Sequence, residues 1–223
     1  KHFSMATVIF DLDGTLVDSA EVLRDVGNMV LAELGLVLMD TNEARGYIGN
    51  GAQVFVEKML AARDALNVAT FFDIFERYSD RYAAMPGDAN IPFPHVDETL
   101  QHLASQGFRL GLCTNKPTAP TDALLAAHNW AGLFGSVVCG DTLAQRKPHP
   151  EPLREVARQL ASPPVIYVGD SEVDAQAAAA AEFPFFLYTE GFRLEPVNSL
   201  VFAESFQDFQ ELPAKVETFF AAL

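Results

Sequence analysis

Short apolar runs of β type recur along the chain at Thr7–Phe10, Arg109–Cys113, Ser136–Cys139, Val165–Val168 and Phe185–Tyr188, with a weaker one at Leu200–Phe202. Helix-length segments separate most of them: Val96–Gln106, Thr118–Asn129, Pro150–Leu160 and Asp174–Ala181. Wholly apolar strands alternating with helices predict an α/β core, a Rossmann-like parallel sheet with helices on both faces. Ligands of such sheets sit at the carboxyl ends of the strands.

The alternation stops between about Ser19 and Ala84. Only helical spacing is found there, as in Val22, Val26, Met29 and Val30 and in Val54, Val56, Met59 and Leu60. This predicts an inserted all-helical unit. A Gly49-Asn50-Gly51 turn interrupts it, and the Pro- and Gly-rich stretch Met85–Pro94 reads as the return linker. The predicted division is a core of 5–17 and 85–223 and a helical unit of 18–84. Met29, Met39 and Met59 are expected to fill the core.

Composition narrows the partners. Over 223 residues, 15 Lys and Arg face 30 Asp and Glu, a net charge of −15, which opposes nucleic acid and anionic membrane surfaces. No run approaches the roughly 20 apolar residues of a membrane span. The N-terminus lacks the pattern of a secretory signal, and Lys1–Ser4 ahead of Met5 is set aside as foreign to the fold. Cys113 and Cys139, the two cysteines, fall in strand-like runs and are expected to be buried free thiols in a reducing, cytoplasmic setting.

Chemistry enters at the strand ends. Asp11 and Asp13 follow the first run directly, and positions i and i+2 of an extended segment share a side. The two carboxylates are therefore expected to converge, with a cation or proton relieving their repulsion. Thr114 and Asn115 follow the second run, Asp170 follows Val165–Gly169, and Lys147 precedes a helix that opens with proline. In a parallel sheet these positions face one crevice. Acids, a hydroxyl, an amide and a lysine suit a phosphate held with Mg²⁺, which takes oxygen ligands. Histidine and cysteine spacing for zinc is absent.

Asp11-Leu-Asp-Gly-Thr15, Cys113-Thr-Asn-Lys-Pro117, Lys147-Pro-His-Pro150 and Gly169-Asp-Ser-Glu-Val-Asp174 resemble the four ordered motifs of the haloacid dehalogenase superfamily, over about Ala6 to Phe209. Within it, Thr114–Pro117, Gly46–Gly51 and Thr189–Gly191 are most similar to phosphoglycolate phosphatases. The resemblance implies that the helical insertion is a cap whose Gly49, Asn50 and Gly51 turn selects the substrate. It implies Asp11 as nucleophile, Asp13 as general acid and base, and Thr114, Asn115 and Lys147 as phosphate binders. Asp11, the Asp13 carbonyl and Asp170 would hold the metal, with Asp174 behind them tying down Lys147 or a metal water. Asp174 has a competing role as N-cap of the Ala-rich helix.

Arg45 is a candidate for meeting a substrate carboxylate, because a guanidinium offers a planar fork. Three places depart from the resemblance. His95 and Glu182 stand where relatives carry glycine, the latter at a left-handed helix end. Phe192–Pro196 replaces a glycine and aromatic run.

The expected activity is hydrolysis of a small phosphomonoester, 2-phosphoglycolate foremost, through an aspartyl-phosphate. A hexose-phosphate mutase would share these motifs. A receiver-type phospho-acceptor module would lack both the D-x-D pair and the insertion. The motifs leave the oligomeric state open.

Overall fold

The structure is a computed structural model that describes residues 6–161 and 163–223; the extension Lys1–Ser4 lies outside the described residues. In chain order the elements are β1 (Thr7–Phe10), β2 (Val17–Asp18), α1 (Ala20–Glu33), α2 (Thr41–Arg45), α3 (Ala52–Ala61), α4 (Val68–Ala83), β3 (Ile91–Pro92), α5 (Val96–Ser105), β4 (Arg109–Cys113), α6 (Thr118–Ala127), β5 (Phe134–Val138), α7 (Glu151–Gln159), β6 (Val165–Gly169), α8 (Glu172–Ala181), β7 (Phe185–Tyr188), β8 (Glu204–Phe206) and α9 (Leu212–Ala221).

Six strands form one parallel sheet in the order β5-β4-β1-β6-β7-β8. β1 lies in the middle, with Phe10 level with Leu112 on one side and Val168 on the other. The residues just past these positions therefore leave the sheet at one edge. One apolar layer, which includes Phe10, Leu100, Trp130 and Phe209, covers one face. A second, with Ile9, Tyr167, Leu153 and Ala177, covers the other. Burial on both faces explains why these strands read as unbroken apolar runs.

The weak strand expected at Leu200–Phe202 is displaced to Glu204–Phe206. Val201 is 81% exposed, so the apolar triplet is a bend beside the sheet edge and not a ladder strand.

The helical stretch α1–α4 has an apolar cluster of its own, built from Val26, Val30, Phe55, Met59, Ile74 and Tyr78 among others. Met39 and Met59 are buried in it, whereas Met29 is 46% exposed and does not fill the core. The chain leaves the sheet through β2 and returns through β3, which pair antiparallel, Val17 with Pro92 and Asp18 with Ile91.

Two non-glycine residues sit in the left-handed region where glycine was expected. His95 has φ 65° as it enters α5, and Glu182 has φ 63° as it leaves α8. The His95 ring is held there by Asp208, at 2.8 Å.

Candidate active site

β1 delivers Asp11 and Asp13 to the carboxyl edge of the sheet, where both line one pocket but take different lysine partners. The strand ends at Phe10 and a turn follows, in which the Gly14 amide donates to the Val17 carbonyl at 2.9 Å. Strand alternation therefore no longer governs where residue 13 points.

Asp11 faces a buried cluster with Asp170 and Asp174, in which one oxygen from each carboxylate lies within 4.8 Å of the others. Lys147 enters the same cluster and donates to Asp11 Oδ1 at 2.9 Å, Tyr167 Oη at 2.7 Å and Asp174 Oδ1 at 2.8 Å. An ammonium has three donors, and Lys147 has spent all of them. Asp13 instead receives Lys116 Nζ at 3.0 Å.

Asp174 is not the N-cap of α8. Ser171 is, and Asp174 three residues on completes a capping box with it. Asp174 Oδ2 accepts from the Asp170 and Ser171 amides at 3.1 Å each and from Ser171 Oγ at 2.9 Å. With Tyr167 Oη and Lys147 on Oδ1, this carboxylate is fully used in holding its neighbours.

Asp170 has one bond on each oxygen, from Thr15 Oγ1 at 2.8 Å and from the Phe192 amide at 2.7 Å, which leaves lone pairs free. The divergent segment Phe192–Pro196 thus begins by anchoring Asp170.

Burial raises the Asp11 pKa well above the ordinary carboxylate value, and the Asp174 charge adds to the rise. Burial and Asp174 push Asp170 up to about 7. Burial would raise Asp174 as well, but the Lys147 charge outweighs it and holds Asp174 low. Burial works against the Lys147 charge, yet Asp11 and Asp174 hold its pKa above the ordinary lysine value. With all three acids ionised, one lysine would leave two negative charges uncompensated in a buried place, and oxygen-only donors match a hard divalent cation. Asp11 and Asp170 have the free lone pairs to hold it, and Asp174 orients the set.

A pocket of ≈ 410 Å³, counting its mouth, opens beside Asp11 and Asp13. Thr114, Asn115 and Lys116 from the loop after β4 form one wall, and Leu23, Ile48, Phe55, Tyr78 and Tyr82 from the helical stretch form the other. Thr114 Oγ1 accepts from the Lys116 amide at 3.0 Å, so its own proton remains available to a ligand.

A family model for haloacid dehalogenase-like hydrolases matches residues 8–188. The chain belongs to that family. Among its relatives, the phosphoglycolate phosphatase of Cereibacter sphaeroides is 41% identical over 210 residues, covering 94% of this chain and 96% of that one. The phosphoglycolate phosphatase of Rhodobacter capsulatus is 39% identical over 212 residues, covering 94% and 96%. In three dimensions the chain is similar to a predicted phosphoglycolate phosphatase from Haemophilus somnus, with a TM-score of 0.87, 28% identity, and 97% and 99% of the two chains covered.

In this haloacid dehalogenase-like hydrolase two expected ligand contacts are already occupied. Asn115 spends its whole side chain on protein: Oδ1 accepts from the Lys147 amide at 3.0 Å, and Nδ2 donates to the Lys147 and Gly49 carbonyls at 2.9 Å each. Its amide thus ties loops together and is not free for phosphate.

Arg45 does not line the pocket; it pairs with Asp18 at 3.3 Å and lies over the Phe192 ring at 5.8 Å. Gly49 and Gly51 do line it, with φ 125° and 92°, while Asn50 between them is half-buried and lies off the wall.

Lys116 is the residue that sequence reasoning missed. Its ammonium is fully buried, donates to Asp13 and to Tyr82 Oη, and sits over the Tyr82 ring. The available signal was a lysine three positions after a buried strand end, inside the same motif as Thr114.

No helix among the described residues is long and apolar enough to cross a membrane.

Proposed function

We propose that this hydrolase is a Mg²⁺-dependent phosphatase that cleaves 2-phosphoglycolate through an aspartyl-phosphate on Asp11. The observation that carries the reading is the unlike surroundings of the two motif acids. Both line the pocket, but Asp11 also belongs to the acid and lysine cluster, while Asp13 pairs with a different lysine. Two carboxylates in unlike surroundings suit two unlike tasks. The named relatives support the choice of substrate.

In this mechanism an Asp11 oxygen attacks phosphorus in line with the ester oxygen, which departs with the proton that Asp13 gives it. Asp13, now ionised, takes a proton from water as that water attacks the aspartyl-phosphate, and inorganic phosphate and Asp11 are released. Lys147 holds Asp11 in place and balances the charge of the cluster, and the Thr114 hydroxyl donates to the phosphoryl oxygens. A divalent cation would be held by Asp11, Asp170 and the Asp13 carbonyl and would supply charge neutralisation at the phosphoryl group.

Residues 18–84 act as a cap, a role supported by their separate apolar cluster and by the pocket wall they provide. A pocket closed this way keeps water from the reacting centre. The two buried free thiols suit a reducing cytoplasm.

The test is phosphate release with Mg²⁺ from 2-phosphoglycolate and from a panel of hexose phosphates. Preference for 2-phosphoglycolate is the expected result. Interconversion of hexose phosphates without phosphate release would overturn it in favour of a mutase.

A further inference from the structure

A substrate carrying a second anionic group meets an unfavourable pocket unless a cation waits for that group, because Asp11 and Asp13 already line it. Lys147 cannot serve: its three donors are spent on Asp11, Tyr167 and Asp174, and it is not part of the pocket wall. Arg45 is paired with Asp18 away from the pocket. Arg146 is exposed and lines a neighbouring pocket instead of this one.

Lys116 remains. Its side chain is wholly buried, it lines the pocket, and it uses two donors, one on Asp13 Oδ1 and one on Tyr82 Oη. The third has no partner among the described residues. Tyr78 lines the same pocket, and its buried hydroxyl also has no hydrogen-bond partner among the described residues. Tyr78 belongs to α4, as does Tyr82, and their rings are 5.8 Å apart. A buried donor left unmade costs its full desolvation, and two of them on one small pocket call for an acceptor with two oxygens.

We propose that Lys116 and Tyr78 together form the receptor for a carboxylate at the non-reacting end of the substrate. One carboxylate oxygen accepts from Lys116 Nζ and the other from Tyr78 Oη, while the same ammonium keeps its bond to Asp13. The lysine thereby screens the substrate's negative charge from the acid beside it. The proposal rests on the phosphatase reading above and assigns to core and cap jointly the role that Arg45 was expected to fill.

Such a site rejects a ligand that lacks the acceptor more strongly than it rejects one of slightly wrong size, because both donors are then stranded. The experiment compares kcat/KM for 2-phosphoglycolate and for ethyl phosphate, an ester of the same length without the carboxylate, with Mg²⁺, using the full chain. The wild-type preference for the carboxylate ester is expected to be about a hundredfold or more. Lys116→Met is expected to cut that preference by roughly thirtyfold, beyond whatever it costs both esters through Asp13.

Tyr78→Phe keeps the ring, removes an unpartnered hydroxyl, and so folds at least as stably as the wild type. It is expected to cut the preference by about fivefold to tenfold, in KM more than in kcat. Parallel losses on the two esters in both variants would overturn the receptor, as would equal wild-type rates on both. Absence of phosphate release from either ester and from p-nitrophenyl phosphate would instead sink the phosphatase reading, so the two failures are distinct.

Discussion

The Asn115 side-chain amide donates to the Gly49 carbonyl at 2.9 Å, joining the loop after β4 to the turn of the helical insertion. The same amide holds the backbone of Lys147 through two further bonds. One side chain thus registers both the closure of the insertion and the position of the buried lysine. Asn115→Ala strands the Lys147 amide and carbonyl and releases Gly49. It is expected to cost about 1–3 kcal/mol of stability and to raise KM roughly tenfold, as measured by thermal unfolding and steady-state kinetics. An unchanged KM would show that the Gly49 bond does not hold the pocket.

Asp11→Asn preserves shape and removes the attacking charge. Turnover is expected to fall by about three orders of magnitude or more, with the fold intact by circular dichroism. Lys147 keeps Asp174 and Tyr167 as partners, so the cluster does not collapse. A rate near that of the wild type would exclude the covalent step.

Metal binding is expected to release protons. Burial and Asp174 push Asp170 up to about 7, and burial raises Asp11 as well, so below about pH 7 the metal-free site holds protons that a divalent ion displaces. Titration calorimetry with Mg²⁺ at pH 6, in buffers of different ionisation enthalpy, measures the number released, and affinity should rise with pH.

The sign for stability follows from the same shift. As pH climbs from the ordinary carboxylate range to 7, the unfolded chain has lost this proton and the folded one retains it. The metal-free protein therefore loses stability across that window, with a slope approaching about 1.4 kcal/mol per pH unit for one group. Saturating Mg²⁺ should flatten the slope. Equal slopes with and without metal would place the ion elsewhere.

Glu182 ends α8 at φ 63°, is exposed, and makes no side-chain hydrogen bond among the described residues. Glycine adopts that conformation freely, so Glu182→Gly is expected to stabilise the fold by about 1 kcal/mol, read as a rise in the urea midpoint at constant slope. Destabilisation would mean that the glutamate contributes a contact worth more than its strain.

Much of the fold was legible because burial on both faces leaves an unmistakable trace: β1 and β7 have the ends that their apolar runs predict. Leu200–Phe202 misled because an apolar triplet carries no record of whether its neighbours offer hydrogen bonds.

The acids of the site were legible from local motifs. Their partners were not: Lys116 meets Asp13 across 103 positions and Tyr82 across 34. No local pattern encodes which of two lysines, 116 or 147, has a donor to spare. Asn115 was read as a ligand for the same reason, since an amide looks equally free until the residues around it are in place.

The paired β2 and β3 bring the two crossings of the helical unit side by side, Asp18 against Ile91. A segment whose entrance and exit are adjacent is topologically a cassette. Its replacement by another unit of matching end-to-end distance leaves the ladder from β5 to β8 in register and the Asp11, Lys147 and Asp170 cluster untouched. The helical unit's share of the proposed receptor, Tyr78, can thus be exchanged between positions 18 and 91, while Lys116 and the phosphoryl chemistry stay with the core.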